Sequence, residues 1–263
     1  MTELTNDLVQ TRKVGFVAVV TMSEPARDNP FSFAMRAALL STFQRLMDDD
    51  DEVRAIVLTG AGGQFCAGGD LAEMTSAPPI LELRESVTVA TRLVRAIVAG
   101  AKPVIAAVEG NCFGAGVSLV AACDIAVGAR NSAYECSFLK EGLLPDIGVL
   151  WTLPQKIGAG KAREMMLLPR PIDGTEAARI GLLATATEPG AALDEAIAQA
   201  ARLAELPPVT LMLMKGAFVN GMNDQTTTMR HEIDLLPLVR TTYDHRESVA
   251  AFLEKRKPQL RGE

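Results

Sequence analysis

Residues 109–124, EGNCFGAGVSLVAACD, decide how the rest of the chain is read. An apolar run at 104–108 meets a cluster of small residues: Gly110, Cys112, Gly114, Ala115 and Gly116. The chain then continues through an apolar segment, 117–122, of helical composition. A strand that turns through small residues into a helix brings bare backbone N–H groups to a helix N-terminus. Such a turn can hold an anion, or an oxygen that gains negative charge during a reaction.

A second turn of this kind lies upstream. Residues 53–59 (VRAIVLT) read as a buried strand that opens into GAGGQFCAGGDLAEM at 60–74. Before it, residues 14–22 (VGFVAVVTM) form a β-branched apolar run, read as another buried strand. Pro25 and Pro30 punctuate the following turn, and Ser32 is placed to cap a helix in which Met35, Leu39, Phe43 and Leu46 recur at helical spacing. Residues 81–99 read as a long helix ahead of Pro103, and 125–127 as a short apolar run. Strand–helix alternation of this sort argues an α/β fold. Beyond Ile147 strand signals nearly vanish, and 161–168, 175–182, 191–206, 209–218 and 226–256 read as helices. The expected division is an α/β core at 1–190 and a helical region at 191–263.

The 263 residues, 48% apolar and 22% charged, suffice for one large domain with a real core. A net charge of −6 provides no basic field for nucleic acid. No run reaches membrane-spanning length and the N-terminus lacks a signal-type apolar core, so a cytoplasmic protein is expected. The four cysteines, Cys66, Cys112, Cys123 and Cys136, form no CxxC pair and sit among apolar or small residues, as reduced buried thiols do. With only His231 and His245 present, no histidine-rich metal site is expected.

Three familiar motifs fail on inspection. The segment 158–161 (GAGK) resembles the end of a phosphate-binding loop, but Gln155 stands where its first glycine belongs. Gly116-Val117-Ser118 lacks the closing glycine of a nucleophile elbow, Val120 taking its place. Neither glycine cluster reads GxGxxG. Residue types for a serine–histidine–aspartate arrangement exist, but both histidines lie in polar stretches that suit solvated surface.

Together the two turns resemble something specific. Cys66-Ala67-Gly68-Gly69-Asp70-Leu71 is similar to the first signature of the crotonase family, the enoyl-CoA hydratases and isomerases, and PVIAAVEGNCFGAGVSLVAACDIAV at 103–127 to the second. EPARDNPFS at 24–32 and AFLEKRKP at 251–258 resemble two further landmarks. The resemblance implies a spiral of ββα units followed by C-terminal helices that pack neighbouring subunits, as a homotrimer or homohexamer. It implies an acyl-CoA substrate, with coenzyme A as part of the substrate and no separate cofactor. By position, the backbone N–H groups of Gly69 and Ala115 would hold the thioester oxygen as it becomes an enolate. The resemblance also places Ala26, Arg27, Ala67, Gly68, Asp70 and Leu71 against coenzyme A, with Lys255 reaching its phosphate from a neighbouring subunit. Phe113, Gly114, Ser118, Phe138 and Glu141 would face the acyl portion.

Hydratases of the family use two glutamates, and here Ser118 and Phe138 occupy those positions. Without a carboxylate pair, hydration by the usual route lacks its acid and base. Asp146, in GLLPDIG at 142–148, sits where several isomerases of the family place an aspartate, including ring-epoxide isomerases of phenylacetyl-CoA breakdown. The expected mechanism has Asp146 moving a proton near the acyl chain, with Leu143, Leu144, Ile147, Leu150 and Trp151 desolvating it and raising its pKa. An aspartate there would also suit an N-cap for a helix starting at Ile147. Glu141 is the reserve acid/base. Two alternatives stay open: a hydratase with a non-standard acid or base, and a catalytically silent acyl-CoA-binding protein.

Overall fold

The computed structural model describes residues 7–76, 78–220 and 224–263. The first six residues, part of the N-terminus expected above to lack a signal-type apolar core, lie outside that description. β1 (Val9–Val14) and β2 (Val17–Met22) form an antiparallel hairpin closed at Gly15, whose φ is 57°. The run at 14–22 is therefore not one strand: it joins the last residue of β1, through the turn, to the whole of β2. Left-handed Gly15 reverses the chain, leaving Val14 on β1 and partly exposed.

β3 (Ala55–Gly60), β4 (Val104–Val108), β6 (Ile125–Ala129) and β9 (Thr185–Thr187) follow as parallel neighbours, giving the order β1-β2-β3-β4-β6-β9. A smaller sheet has the order β5-β7-β8, from β5 (Asn111–Phe113), β7 (Ala133–Glu135) and β8 (Ile172–Asp173). A parallel bridge between Cys66 and Cys112 extends that small sheet toward the upstream turn. Each turn of the spiral thus runs from a large-sheet strand to a small-sheet position and then to a helix. The helices are α1 (Phe33–Gln44), α2 (Leu71–Thr75), α3 (Ile80–Ala99), α4 (Ala115–Ala122), α5 (Val149–Ile157), α6 (Ala159–Leu167), α7 (Gly174–Arg179), α8 (Ala192–Ala204), α9 (Pro208–Asn220), α10 (Gln225–Thr241) and α11 (Tyr243–Glu254). The expected α/β spiral of ββα units, with C-terminal helices after it, is the observed architecture.

The continuous apolar strands are explained by burial on both faces. Ala18, Val20, Ile56, Leu58, Val104 and Ala106 face the main core with α1, α3 and α4. The alternating residues Val17, Val19, Ala55, Val57, Ile105 and Ala107 meet α8 instead. α8 presents Ala192, Ala196, Ala200 and Ala204 at a spacing of four, a smooth small-residue stripe that lies close on the sheet. Glu109, from the end of β4, accepts hydrogen bonds from the Gly190 and Ala192 N–H groups at 3.0 Å each, which fixes where α8 starts.

Three further sequence expectations need correction. β8 and β9 lie beyond Ile147, where strands were not expected: both are too short, at two and three residues, to leave a periodic signal. The helix expected over 226–256 is two helices broken at Thr242, whose extended backbone and side chain cap α11. The helix expected at Ile147 begins at Val149, with Gly148 as its N-cap.

Candidate functional site

The two small-residue turns are bonded into one unit. Phe65 and Cys66 N–H groups donate to the Asn111 carbonyl at 3.2 and 2.9 Å, and Phe113 N–H returns to the Cys66 carbonyl at 3.0 Å. Gly68 has a φ of 101°, and a Cβ there would lie 3.2 Å from the Phe113 carbonyl oxygen. Only glycine allows this close approach without displacing the neighbouring turn. Gly114, at φ 46° and ψ −109°, is the N-cap of α4, and its N–H donates to the Glu135 carbonyl at 2.9 Å. The first bond inside α4 is Ser118 N–H to Gly114 carbonyl. Ala115 at the first helical position therefore has an N–H that the helix cannot use. Among the described residues, neither Ala115 N–H nor Gly69 N–H donates to a protein acceptor. The dipole of α4 points its positive end at the same place.

The loop carrying Ala26 and Arg27 is clamped onto the upstream turn by Asn29, a residue the sequence reading passed over. Asn29 is fully buried: its Oδ1 accepts from Glu24 N–H, and its Nδ2 donates to the Ala61 and Gln64 carbonyls at 2.9 and 2.7 Å. Ala67 N–H donates to the Asp28 carbonyl, and Phe31 N–H to the Gly68 carbonyl. Arg27 reaches across to Asp70 at 2.7 Å, and this hydrogen bond holds the Asp70 carboxyl below its ordinary value. Asp70 also caps α2 by accepting from Ala72 N–H at 2.9 Å. Leu71, the first residue of α2, is exposed. So Ala26, Arg27, Ala67, Gly68, Gly69, Asp70 and Leu71 are brought together at one edge of the turns. Lys255 is not: it is the exposed C-cap of α11, which packs on α10.

On the other side, Phe113 and Gly114 lead into α4. Ser118, fully buried, donates from Oγ to the main-chain carbonyl of Asp146 at 3.2 Å. Ser118 thus ties the Asp146 turn to α4. Phe138 is buried as well, in the short helical turn Ser137–Glu141. Glu141 is exposed and accepts from Ser137 Oγ at 3.1 Å, and that hydroxyl lies beside the Gly114 turn.

Asp146 is part-buried, and desolvation raises its pKa while the Arg36 charge pulls it down. The expected direction holds, but the expected cause is only partly right. Ile147 is buried, whereas Leu143, Leu144, Leu150 and Trp151 are all at least 40% exposed in the protomer. Nor does the side chain cap a helix: α5 has no side-chain cap, and Asp146 contributes only its carbonyl to Val149 N–H at 3.2 Å. Ile147 is held at φ 55°, a left-handed conformation that costs a β-branched residue about 1–2 kcal/mol. Gly148 follows at φ 77°, packed where a Cβ would meet Val94 of α3. Two successive left-handed residues thus separate Asp146 from the helix that follows, and its carboxylate does not serve as that helix's cap.

Arg36 of α1 is the second group that the sequence did not single out. Its Nε donates to the Phe31 carbonyl at 3.0 Å and its Nη1 to Ser86 Oγ at 2.7 Å. Burial lowers its pKa, and Asp146 is the first of the charges opposing that shift. All four cysteines are buried and free, and burial pushes Cys66 up to about 11, which makes a thiolate nucleophile unavailable there. Among the described residues no three His, Cys, Asp or Glu side chains converge as metal ligands do, and no helix is long and apolar enough to cross a membrane.

Comparison with known proteins places the chain in a family. Residues 12–263 match the family described as enoyl-CoA hydratase/isomerase. The chain is 36% identical over 251 residues to 1,2-epoxyphenylacetyl-CoA isomerase of Escherichia coli, covering 94% of this chain and 95% of that one. It is 32% identical over 260 residues to the short-chain-enoyl-CoA hydratase of Clostridium acetobutylicum, covering 97% of each. The crystal structure of an enoyl-CoA hydratase from Polaromonas sp. JS666 superposes with a TM-score of 0.91 at 30% identity, covering 96% of this chain and 99% of that one. The chain belongs to the enoyl-CoA hydratase/isomerase family, the crotonase superfamily.

Proposed function

We propose that this family member acts on an acyl-CoA thioester as an isomerase, with Asp146 as acid/base and the Gly69 and Ala115 N–H groups as the oxyanion hole. The observation that carries this reading is the Asp146 carboxylate: part-buried, raised by desolvation, and tied through its own carbonyl to α4. Removing a proton next to a thioester carbonyl drives charge onto the oxygen. Two preoriented N–H donors stabilise that charge, each worth about 3–4 kcal/mol in the transition state. A carboxylate with a raised pKa accepts the proton and returns it at another carbon, which is isomerisation. Ser118 and Phe138 leave no second carboxylate to position water at the two places hydratases use.

Arg27, Asp70 and the turn backbone would receive coenzyme A, and Lys255 of a neighbouring protomer its phosphate. The exposed apolar residues of α10 and α11, among them Ile233, Leu236, Phe252 and Leu253, suit a homotrimer or homohexamer. Glu141 supports a second reading, hydration: an exposed carboxylate hydrogen-bonded to Ser137 beside the Gly114 turn could activate water. Turnover of enoyl-, dienoyl- and epoxyacyl-CoA by the wild type, Asp146→Asn and Glu141→Gln separates the two. Isomer formation lost in Asp146→Asn alone supports the proposal; undiminished turnover by Asp146→Asn removes it. Binding of acyl-CoA without exchange of its α-protons would favour a silent binding protein.

A further inference from the structure

We propose that Arg36 is a specificity-determining residue that binds an oxygen carried by the acyl group beyond the thioester, so that the preferred substrates are oxygen-bearing acyl-CoAs. The proposal rests on the acyl-CoA reading above. A guanidinium has five N–H donors in a fixed fork. Here two are used, by the Phe31 carbonyl and Ser86 Oγ, and among the described residues the others find no protein acceptor. The fork is rigidly placed: its carbon lies 5.1 Å from the Phe31 ring centre and 5.2 Å from that of Phe33, and Ser86 on α3 is itself buried.

The carboxylates whose charge Arg36 feels are those of Asp146 and Glu73. Glu73 is already committed, with both carboxylate oxygens accepting from Phe33 N–H at 2.8 and 3.0 Å. Asp146 feels Arg36 electrostatically, yet among the described residues the two form no direct ion pair. A residue serving only to neutralise Asp146 would close that gap, because an unpaired desolvated cation is costly. Arg36 holds the Phe31 carbonyl while Phe31 N–H holds the Gly68 carbonyl, so the guanidinium stands beside the turn that carries Gly69, and an atom of an acyl group bound there can meet its unused donors. The free donors require that atom to be an acceptor. A carbonyl, epoxide or carboxylate oxygen on the acyl chain satisfies this, and a plain hydrocarbon chain does not. Asp146 would then work on carbons next to the oxygen that Arg36 fixes.

The test compares equilibrium binding, which does not depend on Asp146 chemistry. Dissociation constants are measured for hexanoyl-CoA, for its 4-oxo and 5-oxo derivatives, and for adipoyl-CoA, with wild type, Arg36→Met and Arg36→Lys, each checked by thermal melt. At least one oxygen-bearing thioester should bind the wild type about tenfold or more tightly than hexanoyl-CoA, the range of one charge-assisted hydrogen bond. Arg36→Met should reduce that ratio to within twofold, and Arg36→Lys should leave it intermediate. Should Arg36→Met not fold, a drop of at least threefold in Arg36→Lys is the expected result. Equal affinities in the wild type, or a preference that survives substitution, overturn the proposal and leave the acyl-CoA reading standing. Failure of every thioester to bind overturns both.

Discussion

Replacing Ala115 by proline removes one N–H from the site and little else from α4. Proline is accepted at the first helical position because its φ suits the helix and no intrahelical bond is lost. Here the first such bond is Ser118 N–H to Gly114 carbonyl, which the substitution leaves intact. The preceding residue is glycine, so the usual clash of the proline ring with a preceding Cβ does not arise. The cost is the ring itself, since Ala115 is only 4% exposed and has little free space. Overpacking of about 1–3 kcal/mol corresponds to a Tm loss on the order of 2–12 °C for a chain of this size. Catalysis should suffer far more: losing one oxyanion donor costs about 10²–10³ in kcat, and the ring would also crowd the place of the oxygen. The assay is kcat/KM on the best acyl-CoA of the panel, with α-deuterium exchange and a thermal melt in parallel. A folded Ala115→Pro protein within tenfold of wild type would refute the assignment of Ala115 as donor. If the melt shows gross unfolding, an amide-to-ester exchange at residue 115 removes the N–H without adding a ring.

Other expectations follow from the same contacts. The Asp146 pKa is raised above its ordinary 3.8 in the folded state, so the folded protein holds that proton more tightly than the unfolded chain. Ionised Asp146 therefore lowers stability above the raised value, and this cost disappears as pH falls below 3.8. Asp146→Asn should melt higher than wild type at pH 7, with the gap closing in acid; a lower melt at pH 7 would contradict desolvation as the dominant cause. Lys215→Met should destabilise strongly. Lys215 is buried, paired with Asp124 and bonded to the Ile97 carbonyl, and breaking a buried pair costs about 3–5 kcal/mol. A Tm drop under about 2 °C would show that this pair does not pin α9 to the core. Asp70→Ala removes the cap of α2 and the partner of Arg27. It should cost about 1 kcal/mol of stability and raise KM for acyl-CoA with kcat little changed; an unaltered KM would separate Arg27 from coenzyme A binding.

The sequence by itself determined the two glycine turns, the strands that feed them and the family they resemble. These features are legible because buried parallel strands are continuous apolar runs, and turns needing bare backbone can use few residue types. The same resemblance raised the expectation that Ser118 and Phe138 stand where hydratases carry a carboxylate pair. The short strands β8 and β9 were illegible, since two or three residues carry no period. Arg36 and Asn29 were illegible for another reason: each acts through residues far away in the chain. Arg36 meets Ser86 fifty positions on, and Asn29 meets Ala61 and Gln64. Folding alone shows that Asp146 precedes a strained turn without capping α5, and that Ser118 holds that turn from α4. A side chain's residue type follows from local sequence, but its desolvation and the charges it feels come from segments brought beside it by folding.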